Sequence, residues 1–296
     1  GINGFEWSPD GKQLAFLQSI DKTKANKERK EKFGGYAVED EEYNLNQLWV
    51  ADFNPNQFYK MPLPDQMKDT TLTKASKARL LIDNTDFTIT SYLWSPDGKK
   101  IAYGHKPDPL RNNFYKSDIS IFDIETKSHK LLVNNPSSDG LEDWSPDSKS
   151  ILYGSSLDDK TSNYYKNDKL FRIDIDGSNN KQLAKDFDEN MFGMNWTDQG
   201  IYAIAWQKTD RPLIKVNPNT GSTTIINTNG RRIWNYWLSD NNQRMAYSAS
   251  GDDDLSEIYI SGSELQNPKQ LTNSTNQIDN WLVSDSEVIS WKSKDG

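Results

Sequence analysis

Three segments of this chain repeat nearly the same residues, and this repeat constrains the fold more than any other feature. They are Phe5–Gly11 (FEWSPDG), Tyr92–Gly98 (YLWSPDG) and Glu142–Ser148 (EDWSPDS). Sequence repeats that recur every few tens of residues are typical of stacked copies of one supersecondary unit. A short apolar run follows each copy, at Leu14–Phe16, Ile101–Tyr103 and Ile151–Tyr153.

The Ser-Pro-Asp-Gly core of the repeat predicts a tight turn between two strands. Proline presets the second position of a type I turn, and the fourth residue takes a left-handed conformation that begins a bulged hairpin. That fourth position holds Gly11, Gly98, Ser148 and, in a degenerate copy, Asn242. Serine tolerates the left-handed conformation less well than glycine or asparagine. We therefore expect Ser148→Gly to stabilise the fold by roughly 0.5–1 kcal/mol.

The spacing of the copies indicates their size. A shortened copy occupies Asn195–Tyr202, so the anchor residues are Trp7, Trp94, Trp144, Trp196 and Leu238. Their separations of 87, 50, 52 and 42 residues suit a four-stranded unit with one insertion in the first copy. Each copy continues with an alternating strand, a polar turn and a second short strand, which is a hairpin signature. The sequence thus predicts an all-β fold, a β-propeller of four-stranded antiparallel blades, with five full repeats and a terminal fragment. Its tryptophans are predicted to pack between blades.

Two long polar stretches interrupt the repeats. The insertion 21–44 begins with lysines and becomes acidic at Glu39–Glu42, and the loop 54–76 contains three prolines. Loops of this length in a compact repeat protein are either functional or mobile. From the residues alone, the acidic run is interpreted as a solvated loop that offsets the lysines before it.

Composition and motifs exclude several kinds of site. The net charge of -8 gives no basic surface for nucleic acid, and the absence of cysteine excludes thiolate catalysis. The chain contains no run of 18 apolar residues, which is the length needed to span a membrane. His105 and His129 are predicted to be surface residues, and no Gly-x-Ser-x-Gly elbow occurs, so we predict no catalytic residue in this segment. Asp174–Asn179 lacks the downstream glutamate of a calcium loop, and Gly251–Asp254 is interpreted as a solvated turn, so no metal or cofactor is predicted.

Two segments resemble known families. Trp94–Tyr103 (WSPDGKKIAY) resembles the TolB-type propeller repeat, and 287–296 (EVISWKSKDG) is similar to a hinge in prolyl oligopeptidase-family serine peptidases. There, the hinge joins the propeller to an α/β-hydrolase domain, and the acylaminoacyl-peptidase and dipeptidyl-peptidase branch is the most similar. The resemblance implies a propeller domain over 1–286 and a hinge at 287–296 toward a hydrolase domain that this sequence does not contain. Family propellers have seven or eight blades, so the repeats belong either to a truncated ring or to one that closes with five or six.

The resemblance also implies a function. The chain would be the non-catalytic propeller domain that gates the access of short peptides to a serine peptidase active site and helps bind them. The parent protein would hydrolyse peptide bonds near peptide N-termini. In the dipeptidyl-peptidase branch, paired glutamates on a propeller insertion bind the free amino terminus, so Glu41 and Glu42 become the candidate substrate-binding residues.

Peptides bound with the hydrolase domain are therefore the implied partners. The sequence is compatible with an oligomer. The resemblance favours a location in the periplasm or the extracellular space over the cytoplasm. Two alternatives come from other classes. One is a stand-alone TolB-like propeller that binds proteins, and the other is a propeller enzyme such as a sugar lyase.

Overall fold

The chain folds into twenty β-strands and one α-helix, α1 (Lys24–Phe33), over the residues that the structure describes. This computed structural model describes residues 2–19, 24–35, 43–54, 78–156, 166–226, 228, 230–284 and 286–294. The strands form five four-stranded antiparallel sheets, so the all-β, propeller-type prediction is confirmed. The chain divides into two compact units, Gly1–Lys166 with Ile173–Asn180, and Asn167–Arg172 with Lys181–Gly296.

Each of the first two sheets is a meander of sequential strands. Helix α1 lies inside the predicted insertion 21–44, between the second and third strands, whereas nearly all of the predicted loop 54–76 lies outside the described residues. Sheet 1 comprises β1 (Ile2–Trp7), β2 (Gln13–Ser19), β3 (Asn46–Asp52) and β4 (Arg79–Ile82). Sheet 2 comprises β5 (Thr88–Trp94), β6 (Lys100–Lys106), β7 (Asp118–Asp123) and β8 (Ser128–Val133).

The remaining three sheets repeat the same sequential order, and the boundary between the two units falls within sheet 3. Sheet 3 comprises β9 (Asp139–Trp144), β10 (Ser150–Ser155), β11 (Lys169–Asp174) and β12 (Lys181–Gln182). Sheet 4 comprises β13 (Met191–Thr197), β14 (Gly200–Ala205), β15 (Leu213–Val216) and β16 (Thr223–Ile226). Sheet 5 comprises β17 (Arg232–Leu238), β18 (Arg244–Ser250), β19 (Glu257–Gly262) and β20 (Lys269–Gln270).

The repeated turn has the predicted hydrogen bonds. In sheet 2, the Gly98 N–H donates to the Ser95 carbonyl at 2.8 Å, and the Ser95 hydroxyl donates to Asp97 at 2.6 Å. The same hydroxyl accepts the Lys100 N–H at 2.9 Å, which closes the turn. The fourth position has a positive φ in every copy of this turn, at +67° for Gly11, +68° for Gly98, +60° for Ser148 and +54° for Asn242.

The repeated tryptophans pack as predicted in three of four copies. Trp94, Trp144 and Trp196 are 7%, 2% and 9% exposed, and the Trp144 indole N–H donates to the Leu93 carbonyl of sheet 2 at 3.1 Å. The prediction is wrong for Trp7, which is 43% exposed. Trp94 and Trp144 each pack against the sheet before their own, whereas the Trp7 ring meets that of Phe53 edge to face at 4.6 Å.

All five sheets share one irregularity near the start of the first strand. There the register between the first and second strands shifts, at Gly4, Thr90, Glu142, Gly193–Met194 and Trp234. Such bulges bend a strand and redirect its side chains, and they are frequent beside functional sites. We use the term bulged end for the end of a sheet where its first strand begins and its second strand ends. The Ser-Pro-Asp-Gly turns lie at the opposite end.

Candidate functional site

The predicted substrate-binding residues Glu41 and Glu42 lie outside the described residues, so their role stays a prediction. Residues 286–294, which include most of the predicted hinge, form neither helix nor strand. Three large apolar side chains of this segment are strongly exposed, with Val288 at 71%, Ile289 at 69% and Trp291 at 79%. Among the helices that the structure describes, none has the length and apolarity needed to cross a bilayer.

Each of the two histidines contacts another side chain of sheet 2, and only His129 is a surface residue as predicted. His105 is half-buried, and its Nε2 lies 2.9 Å from the Ser120 hydroxyl. A serine beside a histidine is the arrangement of an activated nucleophile, but the Ser120 side chain is only 4% exposed. Burial also lowers the pKa of His105, whose ring packs at 4.9 Å from that of Phe87. His129 Nδ1 lies 2.9 Å from the hydroxyl of Tyr103. Because Ser120 is almost fully buried, we interpret its contact with His105 as packing rather than as an activated nucleophile.

The calcium-like segment is a turn, as predicted. The Asp176 carboxylate accepts the Ser178 N–H at 2.8 Å, and Gly177 between them has a φ of +93°. The second acidic segment, Gly251–Asp254, is a bend in which Asp252 and Asp253 are exposed, and Asp252 and Asp254 each lie 2.5 Å from an arginine side chain. No group of three or more metal-ligating side chains occurs within the described residues.

A buried carboxylate begins the first strand of sheet 3. Asp139 is 5% exposed at the bulged end, paired with Ser155 on the second strand. The equivalent positions of sheets 2 and 5 hold Ile89 and Ile233, both fully buried. The Ser155 hydroxyl donates to the Asp139 carboxylate at 2.6 Å. With the Asn135 amide assigned so that its nitrogen faces this carboxylate, the nitrogen donates to both oxygens, at 3.0 and 2.8 Å. A polar side chain thus replaces a core side chain of the repeat, and its neighbours supply its hydrogen bonds.

A second carboxylate lies close enough to affect the first. Burial raises the pKa of Asp139 to about 7, and the negative charge of Asp118 contributes to this rise, although the hydrogen bonds from Ser155 and Asn135 oppose it. Burial also raises the pKa of Asp118. Asp118 and Asp139 repel each other when both are ionised, and both are partly shielded from water. A cation bound beside them is therefore favoured, because it stabilises the ionised form of each carboxyl group.

Asp118 opens onto solvent through a cavity of about 570 Å³. A volume of this order accommodates a small organic ligand. The Lys116 ammonium lies 5.6 Å from the centre of the Tyr115 ring, so one wall combines an aromatic face with a cation. Besides Asp118, the lining residues are Pro107, Tyr115, Lys116, Asn134, Asn135 and Pro136. We call this cavity the Asp118 cleft. It can receive an amine at Asp118 through charge-assisted hydrogen bonds.

The sequence contained a signal for this site. When the five copies are aligned on their anchor residues, Asp139 falls five residues before Trp144, where the second and fifth copies have isoleucine. A charged residue in a core position of a repeat points to a local function or to a local hydrogen-bond network. Asp118 has no such signal, because its link to Asp139 depends on how two strands of different sheets meet.

This chain is similar to known proteins in fold, whereas comparison of its sequence alone finds no match. No family model and no curated protein matches the chain. A serine-to-alanine mutant of puromycin hydrolase in complex with PGG aligns with 100% of this chain, and the alignment covers 41% of the hydrolase chain. The TM-score is 0.66 and the sequence identity is 14%. TolB from Acinetobacter baumannii matches 93% of this chain and 55% of its own, with a TM-score of 0.54 at 14% identity. Oligogalacturonate lyase from Vibrio parahaemolyticus matches 92% of this chain and 65% of its own, with a TM-score of 0.59 at 14% identity.

The matched proteins are longer than this chain, which spans less than half of the peptidase and just over half of the TolB protein. The structural neighbours include TolB propellers and peptidases of the prolyl oligopeptidase family. At these identities the similarity is one of fold. This chain therefore has the β-propeller fold, built from four-stranded antiparallel sheets, that TolB proteins and prolyl oligopeptidase-family peptidases share.

Proposed function

We propose that this chain is a non-catalytic propeller domain that screens and helps bind short peptides for a serine peptidase of the prolyl oligopeptidase family. The observation that carries the proposal is the Asp118 cleft, an open cavity that presents the Asp118 carboxylate, in a fold that matches a peptidase over the whole of this chain. The catalytic serine, base and oxyanion hole would belong to a hydrolase domain on the same polypeptide, and that protein would cleave peptides near their N-termini.

The chemistry of the cleft favours the amino end of a peptide. A peptide's α-amino group is a cation near neutral pH, and its hydrogen-bond donors match the carboxylate of Asp118. Asp139 interacts electrostatically with that carboxylate and adds a second negative charge once it ionises. The bound amine therefore favours the release of a proton from Asp139, so the affinity should increase as the pH approaches 7 and should fall above about pH 8, where the amine loses its own proton.

The segment 287–294 supports the connection to a further domain. It exposes Val288, Ile289 and Trp291 in succession, and contiguous apolar groups in water usually mark a surface that another element covers. We propose that the covering element is the hydrolase domain and that 287–296 is the hinge leading to it, after a propeller domain over 1–286.

Peptide binding tests the proposal directly. Calorimetric titration of this chain with trialanine at pH 7 should give saturable binding, and N-acetyl-trialanine should bind at least about tenfold more weakly, a loss of about 1.4 kcal/mol. Asp118→Asn should reduce trialanine binding by a similar factor. Asp240→Asn, at an exposed aspartate of sheet 5, is the matched control and should bind normally. Equal binding of the free and acetylated peptides would refute the role of the cleft.

The paired glutamates receive the same test. Glu41 and Glu42 are a second proposed anchor for the amino terminus, and the double variant Glu41→Gln with Glu42→Gln removes both charges. If these residues hold the amine, the double variant should weaken trialanine binding and Asp118→Asn should not. The opposite result assigns the amine to the Asp118 cleft.

A stand-alone protein-binding propeller is the second candidate, since a TolB structure matches 93% of this chain. The natural transcript distinguishes the two. A Gly-x-Ser-x-Gly segment within about 150 residues after position 296, followed by aspartate and histidine, fits the peptidase. A stop codon soon after position 296 fits the interaction module and refutes the peptidase role.

A further inference from the structure

An arginine without a carboxylate partner lies within an aromatic cluster at the bulged end of sheets 4 and 5. The guanidinium carbon of Arg211 is 5.2 Å from the centre of the nearer Trp234 ring, 5.6 Å from that of Trp206 and 5.9 Å from that of Phe192. The two indole rings meet edge to face at 6.0 Å. We call these four residues the Arg211 cluster.

The cluster is held by regular structure. Phe192 lies on β13, Trp206 directly follows β14, and Trp234 lies at the bulge of β17. The Trp234 indole N–H donates to the Ser250 hydroxyl at 2.9 Å, which fixes its ring. The Arg211 carbonyl accepts the N–H of a β17 residue, Ile233, at 2.9 Å, which fixes the backbone beside it. The geometry is therefore set before any ligand binds, which reduces the entropic cost of binding.

The charge of Arg211 is uncompensated within the described residues. Two other arginines at the same end have partners, since Arg231 forms an ion pair with Asp254 and Arg232 with Asp252. No described carboxylate lies within ion-pair distance of Arg211, and its Nε atom is buried without a hydrogen-bond partner. Burial lowers the pKa of this guanidinium. The aromatic faces attract the cation, but they accept no strong hydrogen bonds from its N–H groups.

The cluster is also open to solvent. Phe192 is 43% exposed and Trp206 is 39% exposed, so a ligand can reach the guanidinium between aromatic walls. Arginine binds a carboxylate through two parallel hydrogen bonds, and the loss of water beside apolar walls strengthens them. Exposed aromatic rings meanwhile favour an apolar or aromatic group next to that carboxylate.

We propose that the Arg211 cluster is a binding site for a carboxylate that is attached to an apolar or aromatic group. A hydrophobic residue at the C-terminus of a peptide has this chemistry, and so does a free aromatic acid. The site does not depend on the peptidase assignment, because it is defined by residues of the second unit alone.

Tryptophan fluorescence provides the test, because two of the four residues are indoles. We expect N-acetyl-phenylalanine to change the emission saturably at millimolar concentrations or below, a binding free energy of about 4 kcal/mol or more. N-acetyl-phenylalaninamide, which lacks the charge, and acetate, which lacks the ring, should each bind at least about tenfold more weakly. A peptide C-terminus is distinguished from a side-chain acid by N-acetyl-glutamyl-phenylalaninamide, which should also bind more weakly than N-acetyl-phenylalanine.

Variants connect the signal to the residue. Arg211→Gln should reduce binding of N-acetyl-phenylalanine by at least about tenfold, whereas Arg211→Lys should keep part of the affinity because it retains the charge. Arg244→Gln, at an exposed arginine of sheet 5, is the control and should bind as the wild type does. The proposal is overturned if the acid gives no saturable change up to about 10 mM, or if the amide, acetate or the Arg211→Gln variant binds equally well.

Discussion

Replacing Asp139 with asparagine should change how stability depends on pH. The pKa of this carboxyl is about 7 in the folded protein and has its ordinary value of 3.8 in the unfolded chain. Between these values the unfolded chain releases the proton first, so the free energy of unfolding falls as the pH rises. A rise from 3.8 to about 7 corresponds to at most roughly 4 kcal/mol, lost progressively between pH 4 and pH 8.

Asparagine keeps the shape of the side chain and carries no charge. It can still accept the Ser155 hydroxyl, and the Asn135 amide can turn its oxygen toward the new amide nitrogen. Asp139→Asn should therefore be nearly as stable as the wild type at pH 4 and more stable at pH 8, by on the order of 2–4 kcal/mol. Urea denaturation followed by tryptophan fluorescence, at several pH values, measures the difference.

A control with the opposite sign is available in sheet 2. The Lys100 ammonium and the Thr126 N–H hold the pKa of Asp123 well below its usual range, so its ionised form stabilises the fold. Asp123→Asn should destabilise the protein at pH 8 and have a smaller effect near pH 3. If the difference between Asp139→Asn and the wild type stays constant from pH 4 to pH 8, Asp139 does not titrate near 7 and the argument is wrong.

Three further substitutions test the fold. Ser148→Gly should leave the melting temperature nearly unchanged, because relief of the positive φ is offset by loss of the 3.0 Å bond from the Asp97 N–H to the Ser148 hydroxyl; a clear rise would contradict this. Trp144→Ala should cost about 3–5 kcal/mol in urea denaturation and the exposed Trp7→Ala much less, so equal costs would oppose the packing assignment. Burial raises the pKa of Glu6 to about 7, so Glu6→Gln should stabilise the protein more at pH 8 than at pH 4; titration of the unfolding free energy shows whether it does.

The Ser148 case shows how far sequence reasoning reaches. The turn, its positive φ and its internal hydrogen bonds follow from four adjacent residues, so the sequence predicted them. The bond from the Asp97 N–H joins turns of two different sheets, and only the structure shows it. The expected gain of roughly 0.5–1 kcal/mol came from local conformation alone and is therefore revised to about zero.

The sequence contained a signal for Asp139, beside the Asp118 cleft, but none for the Arg211 cluster. Asp139 could be noticed, because alignment of the repeats places it where other copies have isoleucine. Arg211 could not, because its three aromatic partners come from β13, the end of β14 and β17, and no local pattern connects them. At the acidic turn the sequence predicted a solvated segment but gave no sign that Asp252 and Asp254 pair with arginines.

The distribution of repeated and variable residues within each sheet explains where such sites can arise. The Ser-Pro-Asp-Gly end repeats because its hydrogen bonds and its positive φ leave few alternatives for these four residues. The bulged end is held by backbone pairing on either side of the register shift, so its side chains can differ between copies at less cost. Isoleucine at sheets 2 and 5, Asp139 at sheet 3 and the Arg211 cluster at sheets 4 and 5 are three arrangements found at this end. Both proposed sites of this chain therefore lie at bulged ends, where the side chains differ between copies, whereas the opposite ends carry the repeated turn.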